Sequence, residues 1–177
     1  VLIVGGGCAG IAVASRINSL KSDLSISIIE PSEKSLYQAA WTLVGAGAYD
    51  VDNTIKPMSE VMPGYVKWIK EYAEEFVPDS NSVKTNNGTY TYDYLVVCPG
   101  LKLNFDGVAG LKEHLGKNNV CTNYSAEMAT YTWDCLKNLD GGTLLFTEPP
   151  MPIKCAGAPQ KIAYLAADHL KKKGKLN

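Results

Sequence analysis

The sequence predicts an α/β fold built from strand–turn–helix units. An apolar run at residues 1–4 is followed by a glycine-rich turn, and apolar residues then recur at helical spacing from Ile11 to Ile17. A second apolar run at residues 24–29 ends before Pro31. Together these segments predict a strand–helix–strand unit with two parallel strands.

The following segments complete a first domain. Residues 65–77 are typical of extended structure, and Asn86, Asn87 and Gly88 predict a hairpin turn that leads into residues 89–92. Residues 94–98 form another apolar strand pattern, which stops at Pro99. We therefore predict a first domain over residues 1–110, with a small antiparallel excursion.

A second domain is predicted for residues 111–177. Ser125 is placed to cap a helix that runs to about Leu139, a strand is expected at residues 143–147, and Pro159 suits the first turn of a helix that ends near Lys173. The fold class is thus α/β with two Rossmann-like domains, of which the second is incomplete. The sequence opens on a strand pattern without Met, and the second domain lacks partner strands that would bury its sheet, so we expect a chain that is cut at both ends.

Composition excludes several classes of function. The formal charge of -1 and the short lysine runs provide no basic stripe for nucleic acid. No stretch approaches the roughly 18 consecutive apolar residues of a membrane-spanning helix. The 5 cysteines are odd in number and far apart, which argues against a disulfide framework and against a metal site, so no metal is predicted.

The glycine-rich turn predicts a dinucleotide site. Gly5, Gly7 and Gly10 have the G-x-G-x-x-G spacing between a strand and a helix, and Glu30 follows about 20 residues later at the end of the second strand. A carboxylate there can bind ribose hydroxyls but repels a phosphorylated ribose. These residues favour FAD or NAD, and the competing interpretation is a turn that serves only helix packing.

Cys155 is a candidate nucleophile. It lies beside Lys154 and just ahead of the predicted helix that contains Pro159, so its thiolate would be stabilised by free backbone N–H groups and a cation. The competing interpretation is an inert structural cysteine. The surrounding loop lacks G-x-G-x-x-G, so we do not expect the second domain to bind NAD.

Three segments carry a resemblance to a known family. Residues 92–100 are similar to the strand of two-dinucleotide-domain flavoproteins that returns toward FAD, and residues 37–47 and 152–161 resemble sulfide:quinone oxidoreductases of the eukaryotic-type branch. The resemblance implies a glutathione-reductase-like arrangement with FAD in the first domain. It also implies contacts with FAD for a further set of residues. These are Cys8, Ala9, Gln38, Trp41, Ala73 and Gly100.

The same resemblance implies an activity and a location. FAD-dependent oxidation of hydrogen sulfide would give a persulfide, with Cys155 paired to a second cysteine outside this chain and electrons passed to a membrane quinone. A small thiol or sulfite would accept the sulfur, and Cys121 matches a third cysteine of some bacterial members that is linked to flavin or assists sulfur transfer. The family implies a peripheral position on the mitochondrial inner membrane, or on the bacterial cytoplasmic membrane, through a missing C-terminal part.

Two alternatives remain open at this point. One is a type II NADH:quinone oxidoreductase, which has a similar first domain but needs a nucleotide-binding loop in the second. The other is a non-catalytic FAD-binding fragment in which Cys155 is structural. We expect this chain by itself not to turn over.

Overall fold

The computed structural model describes residues 1–176, and the chain forms two compact units. The first unit comprises Val1–Leu36 and Ile55–Gly100. The second comprises Tyr37–Thr54 and the chain from Leu101 onward. Each unit is therefore built from two separate stretches of the sequence.

The secondary structure alternates short strands with helices. The strands are β1 (Leu2–Val4), β2 (Ile26–Ile29), β3 (Lys34–Leu36), β4 (Ile55–Pro57), β5 (Val66–Ile69), β6 (Ala73–Val77), β7 (Ser82–Thr85), β8 (Gly88–Thr91) and β9 (Leu95–Val97). The α-helices are α1 (Cys8–Leu20), α2 (Trp41–Gly45), α3 (Met58–Val61), α4 (Leu111–His114), α5 (Ala126–Lys137) and α6 (Gly157–Lys172). Short 3-10 helices occur at Gln38–Ala40, Val51–Thr54, Pro78–Ser80 and Phe105–Gly107.

A parallel sheet forms the centre of the first unit. It has four strands in the order β5-β2-β1-β9, and every neighbouring pair runs parallel. Ile3 is in register with Ile28 on one side and with Val96 on the other. The fold class predicted from the sequence, α/β with a parallel sheet, is confirmed.

Both faces of this sheet are buried, as parallel sheets require. On one face, Ile3 and Ile28 are fully buried and pack in a cluster with Ala14 of α1. On the other face, Leu2 and Ile29 pack in a cluster with Val83. Val83 belongs to the antiparallel sheet β6-β7-β8, which therefore covers the second face. This sheet contains the hairpin that was predicted at Asn86 and Asn87.

The second unit is helical in its core. Ala46, Leu136, Ile162 and Ala166 form one buried cluster, to which α5 and α6 both contribute. A second cluster joins Trp41 and Val44 of α2 to Ala129 of α5. The two long helices match the predicted ones closely, since α5 begins directly after Ser125 and α6 contains Pro159 in its first turn. Ser125 is the N-cap residue of α5, but within the described residues its side chain makes no capping hydrogen bond.

The strand predicted at residues 143–147 is wrong. This stretch lies within the described residues and adopts no regular structure there, and the side chain of Leu145 is 84% exposed. An apolar run becomes a strand when neighbouring strands satisfy its backbone groups, and the unit offers it no sheet within residues 1–176.

The domain division at residue 110 stays a prediction, since the two compact units describe how the chain packs and do not identify domains.

Helix length and polarity bear on membrane insertion. Among residues 1–176, no helix combines the length and the apolar character that crossing a bilayer demands.

Candidate functional site

The glycine turn after β1 is closed by very short backbone approaches. Gly5 has φ +102°, and a Cβ there would lie 2.0 Å from the carbonyl oxygen of Cys98. A Cβ on Gly10 would lie 1.9 Å from the carbonyl oxygen of Gly5. Because neither position has room for a side chain, glycine at both lets α1 pack closely against β1 and the end of β9.

The third glycine of the fingerprint faces open space. Gly7 is exposed, and no heavy atom that the structure describes lies within 4 Å of the position a Cβ would take. Gly7 is also the N-cap of α1, which in the described part of the chain has neither a side-chain cap nor an acidic residue in its first turn. The exposed turn at Cys8 and Ala9 therefore leaves backbone N–H groups free to bind an anion at the positive end of the helix.

Glu30 extends this site from the end of β2. One carboxylate oxygen accepts a hydrogen bond from the Gly6 N–H at 2.8 Å, and the other accepts from the Ser32 N–H at 2.7 Å. The indole N–H of Trp68 donates to the Glu30 carbonyl oxygen at 2.8 Å. Each carboxylate oxygen has a further lone pair, so Glu30 can still accept hydrogen bonds from ribose hydroxyls.

The first unit thus brings together the residues that a dinucleotide needs. Gly5, Gly7, Gly10 and Glu30 surround one open turn at the carboxyl ends of the parallel strands, which is where such sheets bind ligands. The open space at Gly7 would admit a pyrophosphate, and Glu30 is hydrogen-bonded to the same turn. The residues present therefore fit the adenosine diphosphate part of FAD.

The remaining predicted FAD contacts are divided between the units. Ala73 begins β6 and Gly100 is exposed with φ +75°, and both belong to the first unit. Gln38 and Trp41 belong to the second. Trp41 is 4% exposed, and its indole N–H donates to the Thr54 hydroxyl at 3.1 Å. Contact of these residues with FAD stays a prediction.

Cys155 lies on an exposed loop at the start of α6. It directly precedes the N-cap Ala156, and its Sγ is 3.9 Å from the position that a Cβ on Gly157 would occupy. The Cys155 thiol is exposed and forms no disulfide within the described residues. The neighbouring residue Lys154 is also exposed. Cys155 therefore lies directly before the positive end of a long helix, and its reactivity stays a prediction.

Tyr124 is a contact of this loop that the sequence did not reveal. Its hydroxyl donates a hydrogen bond to the Cys155 carbonyl oxygen at 2.9 Å, and the Ala158 N–H donates to the same oxygen at 3.1 Å. Burial raises the pKa of the Tyr124 hydroxyl, and the nearby Cys155 and Glu148 raise it further. No sequence motif joins a tyrosine to a cysteine 31 residues later, so folding alone identifies this tether.

Cys121 and Cys135 both lie beside Asn119. The Cys121 thiol contacts the Asn119 carbonyl oxygen at 3.4 Å, and the Cys135 thiol contacts the Asn119 side-chain oxygen at 3.7 Å. Cys135 is partly exposed. Burial, followed by the nearby Cys135, raises the pKa of Cys121 to about 11. Cys121 is therefore protonated near neutral pH.

Comparisons with known proteins agree with this geometry. The family profile of the pyridine nucleotide-disulphide oxidoreductases matches residues 1–130. The chain is 44% identical over 177 residues to the mitochondrial sulfide:quinone oxidoreductase of Dictyostelium discoideum, covering 98% of this chain and 39% of the relative. It is 39% identical over 176 residues to the mouse mitochondrial enzyme of the same name, covering 99% of this chain and 39% of the relative.

A solved structure gives the same result. The chain superimposes on the sulfide:quinone oxidoreductase of Aquifex aeolicus with a TM-score of 0.74 and 28% identity, over 98% of this chain and 40% of the other. The chain spans about two fifths of the length of these relatives. FAD is the cofactor of the family that the profile describes, and the glycine turn fits it. The chain belongs to the pyridine nucleotide-disulphide oxidoreductase family.

Proposed function

We propose that this protein oxidises hydrogen sulfide with FAD and passes the electrons to a quinone. The observation that carries the proposal is Cys155, an exposed free thiol at the N-terminus of α6 in a chain whose relatives are named sulfide:quinone oxidoreductases. A thiol at this place can take part in sulfur–sulfur exchange, whereas hydride transfer from a nicotinamide would need a nucleotide-binding loop.

The proposed binding site for the pyrophosphate and ribose of FAD lies in the first unit. The turn formed by Gly5, Gly7, Cys8, Ala9 and Gly10 would hold the pyrophosphate through backbone N–H groups and the positive end of α1. The Glu30 carboxylate would accept hydrogen bonds from the ribose. The resemblance further assigns FAD contacts to a second set of residues. These are Gln38, Trp41, Ala73 and Gly100.

The proposed chemistry uses Cys155 as one half of a disulfide. Hydrosulfide attacks the bond between Cys155 and a second cysteine outside this chain, so that one sulfur becomes a persulfide and Cys155 leaves as a thiolate. The N-terminus of α6 and Lys154 stabilise that negative charge. Tyr124 and the Ala158 N–H hold the Cys155 carbonyl oxygen while the thiol reacts. Bound FAD supplies a two-electron acceptor that quinone can reoxidise.

Partners and location follow from the relatives as part of the proposal. The mouse and Dictyostelium relatives are named mitochondrial, which favours the inner mitochondrial membrane as the place where a peripheral enzyme would meet its quinone. A small thiol or sulfite would accept the persulfide sulfur. The bacterial cytoplasmic membrane is the corresponding place for a bacterial source.

An anaerobic titration of the full-length, FAD-loaded protein tests the proposal. We expect sulfide to bleach the flavin absorbance, and added quinone to restore it, while NADH leaves it unchanged. Bleaching by NADH with no response to sulfide would replace the proposal with a type II NADH:quinone oxidoreductase. Retention of FAD with no response to either reductant would favour a non-catalytic FAD-binding protein.

A further inference from the structure

The turn before Cys121 is held in an unusual backbone conformation. Asn118 and Asn119 both lie in the left-handed region, with φ +51° and +62°. The turn is closed by a hydrogen bond from the Val120 N–H to the Lys117 carbonyl oxygen at 2.9 Å. The Asn119 N–H donates to the Tyr131 hydroxyl of α5 at 3.1 Å, so the turn is fixed against one face of that helix.

This arrangement brings two thiols together. Cys135 lies one helical turn after Tyr131 and therefore on the same face of α5. Its thiol contacts the side-chain oxygen of Asn119, while the Cys121 thiol contacts the carbonyl oxygen of the same residue. The pKa of Cys121 is raised in part by Cys135, which agrees with two thiols that lie beside the same residue. Both cysteines are free and partly exposed, so a small reagent can reach them.

We propose that Cys121 and Cys135 form a dithiol site that reduces small disulfides and closes to an intramolecular disulfide. The thiolate of one cysteine attacks a disulfide R–S–S–R, forms a mixed disulfide and releases one R–SH. The other cysteine then attacks the protein sulfur of the mixed disulfide, loses its proton and releases the second R–SH. Two electrons and two protons pass from the protein thiols to the reagent, and one sulfur–sulfur bond replaces another.

The surroundings keep Cys121 protonated before it reacts. Burial and the neighbouring Cys135 raise the pKa of Cys121 to about 11, so this cysteine stays protonated near neutral pH. Closure does not require a free thiolate at both positions, because the second thiol loses its proton as it displaces the mixed disulfide. The proposed dithiol chemistry uses neither FAD nor Cys155, so it can be measured separately from the proposed sulfide oxidation.

Tryptic peptides allow a direct test in the full-length, FAD-loaded protein. Cleavage after Lys117 and Lys137 yields one peptide that holds Cys121 and Cys135 and no other cysteine. The reduced protein is incubated with oxidised glutathione, quenched with N-ethylmaleimide and digested without reductant. We expect this peptide to lose both maleimide labels and the mass of two hydrogen atoms. The closed form should exceed glutathione adducts of this peptide at least about tenfold, because the second thiol has a high effective concentration.

Controls separate this proposal from its alternatives. The Cys135→Ser variant should not close, and its Cys121 should keep a maleimide label or a glutathione adduct. Cys8, Cys98 and Cys155 lie on separate tryptic peptides, which should show adducts or labels but no internal loss of two hydrogens. Two maleimide labels on the wild-type peptide, or a persistent glutathione adduct, would overturn the proposal. Since flavin reduction is not measured, a failure here leaves the proposed sulfide oxidation untouched.

Discussion

The glycine turn of the first unit and the Cys155 loop of the second are held in place by opposite means. At the turn, the packed backbone leaves no room for a side chain at Gly5 or Gly10, because a Cβ at either position would lie within about 2 Å of a carbonyl oxygen. At the loop, Cys155 and its neighbours are exposed, and the Tyr124 hydroxyl provides a side-chain tether. The comparison shows that the proposed binding site is set by the packed core, whereas the proposed reactive thiol depends on local contacts.

The strongest way to test the first half of this comparison is to add one methyl group. Gly10→Ala places a Cβ 1.9 Å from the Gly5 carbonyl oxygen, so α1 must move away from β1. Overpacking of this kind lowers the free energy of unfolding by about 1–3 kcal/mol. For Gly10→Ala we expect a loss at the upper end of this range, together with loss of bound FAD. Urea denaturation and the flavin absorbance of the purified protein measure the two effects.

Gly7→Ala is the matched control for that substitution. Its Cβ would face open space, so the free energy of unfolding should change little while FAD affinity falls, because the methyl group occupies room meant for the pyrophosphate. If Gly7→Ala destabilised the protein as much as Gly10→Ala, the turn would be a packing device and the dinucleotide interpretation would fail.

The second half of the comparison can be tested at the tether. Tyr124→Phe removes the hydrogen bond to the Cys155 carbonyl oxygen, and the loop should leave its position at the start of α6 part of the time. A hydrogen bond worth about 1 kcal/mol corresponds to roughly a fivefold slower alkylation of Cys155 by iodoacetamide near neutral pH. The measurement follows the tryptic peptide formed by residues 155–161, in which Cys155 is the only cysteine.

A second tyrosine makes the Tyr124 result specific. Tyr164→Phe changes a tyrosine of α6 whose side chain is 73% exposed and should leave the rate unaltered. Equal rates for Tyr124→Phe and the wild type at neutral pH would show that the loop needs no such tether.

The smallest effect is expected in the antiparallel sheet that supports the first unit. Glu71 accepts hydrogen bonds from the hydroxyls of Thr85 and Tyr90, which hold the pKa of the carboxyl below its usual value. A lowered pKa in the folded state adds stability above the unfolded pKa, and that stability is lost as the pH falls through the folded pKa. Glu71→Gln should therefore lower the urea midpoint modestly at neutral pH, with a difference that shrinks in acid.

Glu74→Gln supplies the reference for that titration. Glu74 is an exposed residue of β6, and its substitution should shift the midpoint less than Glu71→Gln at neutral pH. A Glu71→Gln difference that stayed constant from neutral pH to acid would mean that the carboxylate charge contributes nothing.

The first unit was largely predictable because its signals are local. Residues 1–30 contain the apolar run of β1, the glycine spacing and Glu30, so these signals lie close together in sequence. The predicted hairpin at Asn86 and Asn87 likewise joins two neighbouring strands, β7 and β8. The pairing of β3 with β4 was not predicted, because each strand has three residues and the two are separated by 18 residues. Strands this short carry too little alternation to be recognised.

The second unit was harder for a different reason. Residues 143–147 have the composition of a strand, but no sheet in the described residues accepts them. The contacts of Tyr124 with Cys155 and of Cys135 with Asn119 join residues far apart in sequence, and no sequence motif predicts them. Sequence reasoning identified Cys155 from its neighbours, whereas its tether and the second thiol pair required the folded chain.

The most direct test of this account compares Cys155→Ser with the wild type in the full-length protein, with FAD content and sulfide-dependent bleaching measured on the same samples. The account predicts that the variant binds FAD as the wild type does, because the glycine turn belongs to the first unit, and that sulfide no longer reduces the flavin. A variant that still bleached with sulfide at the wild-type rate would contradict the role proposed for Cys155.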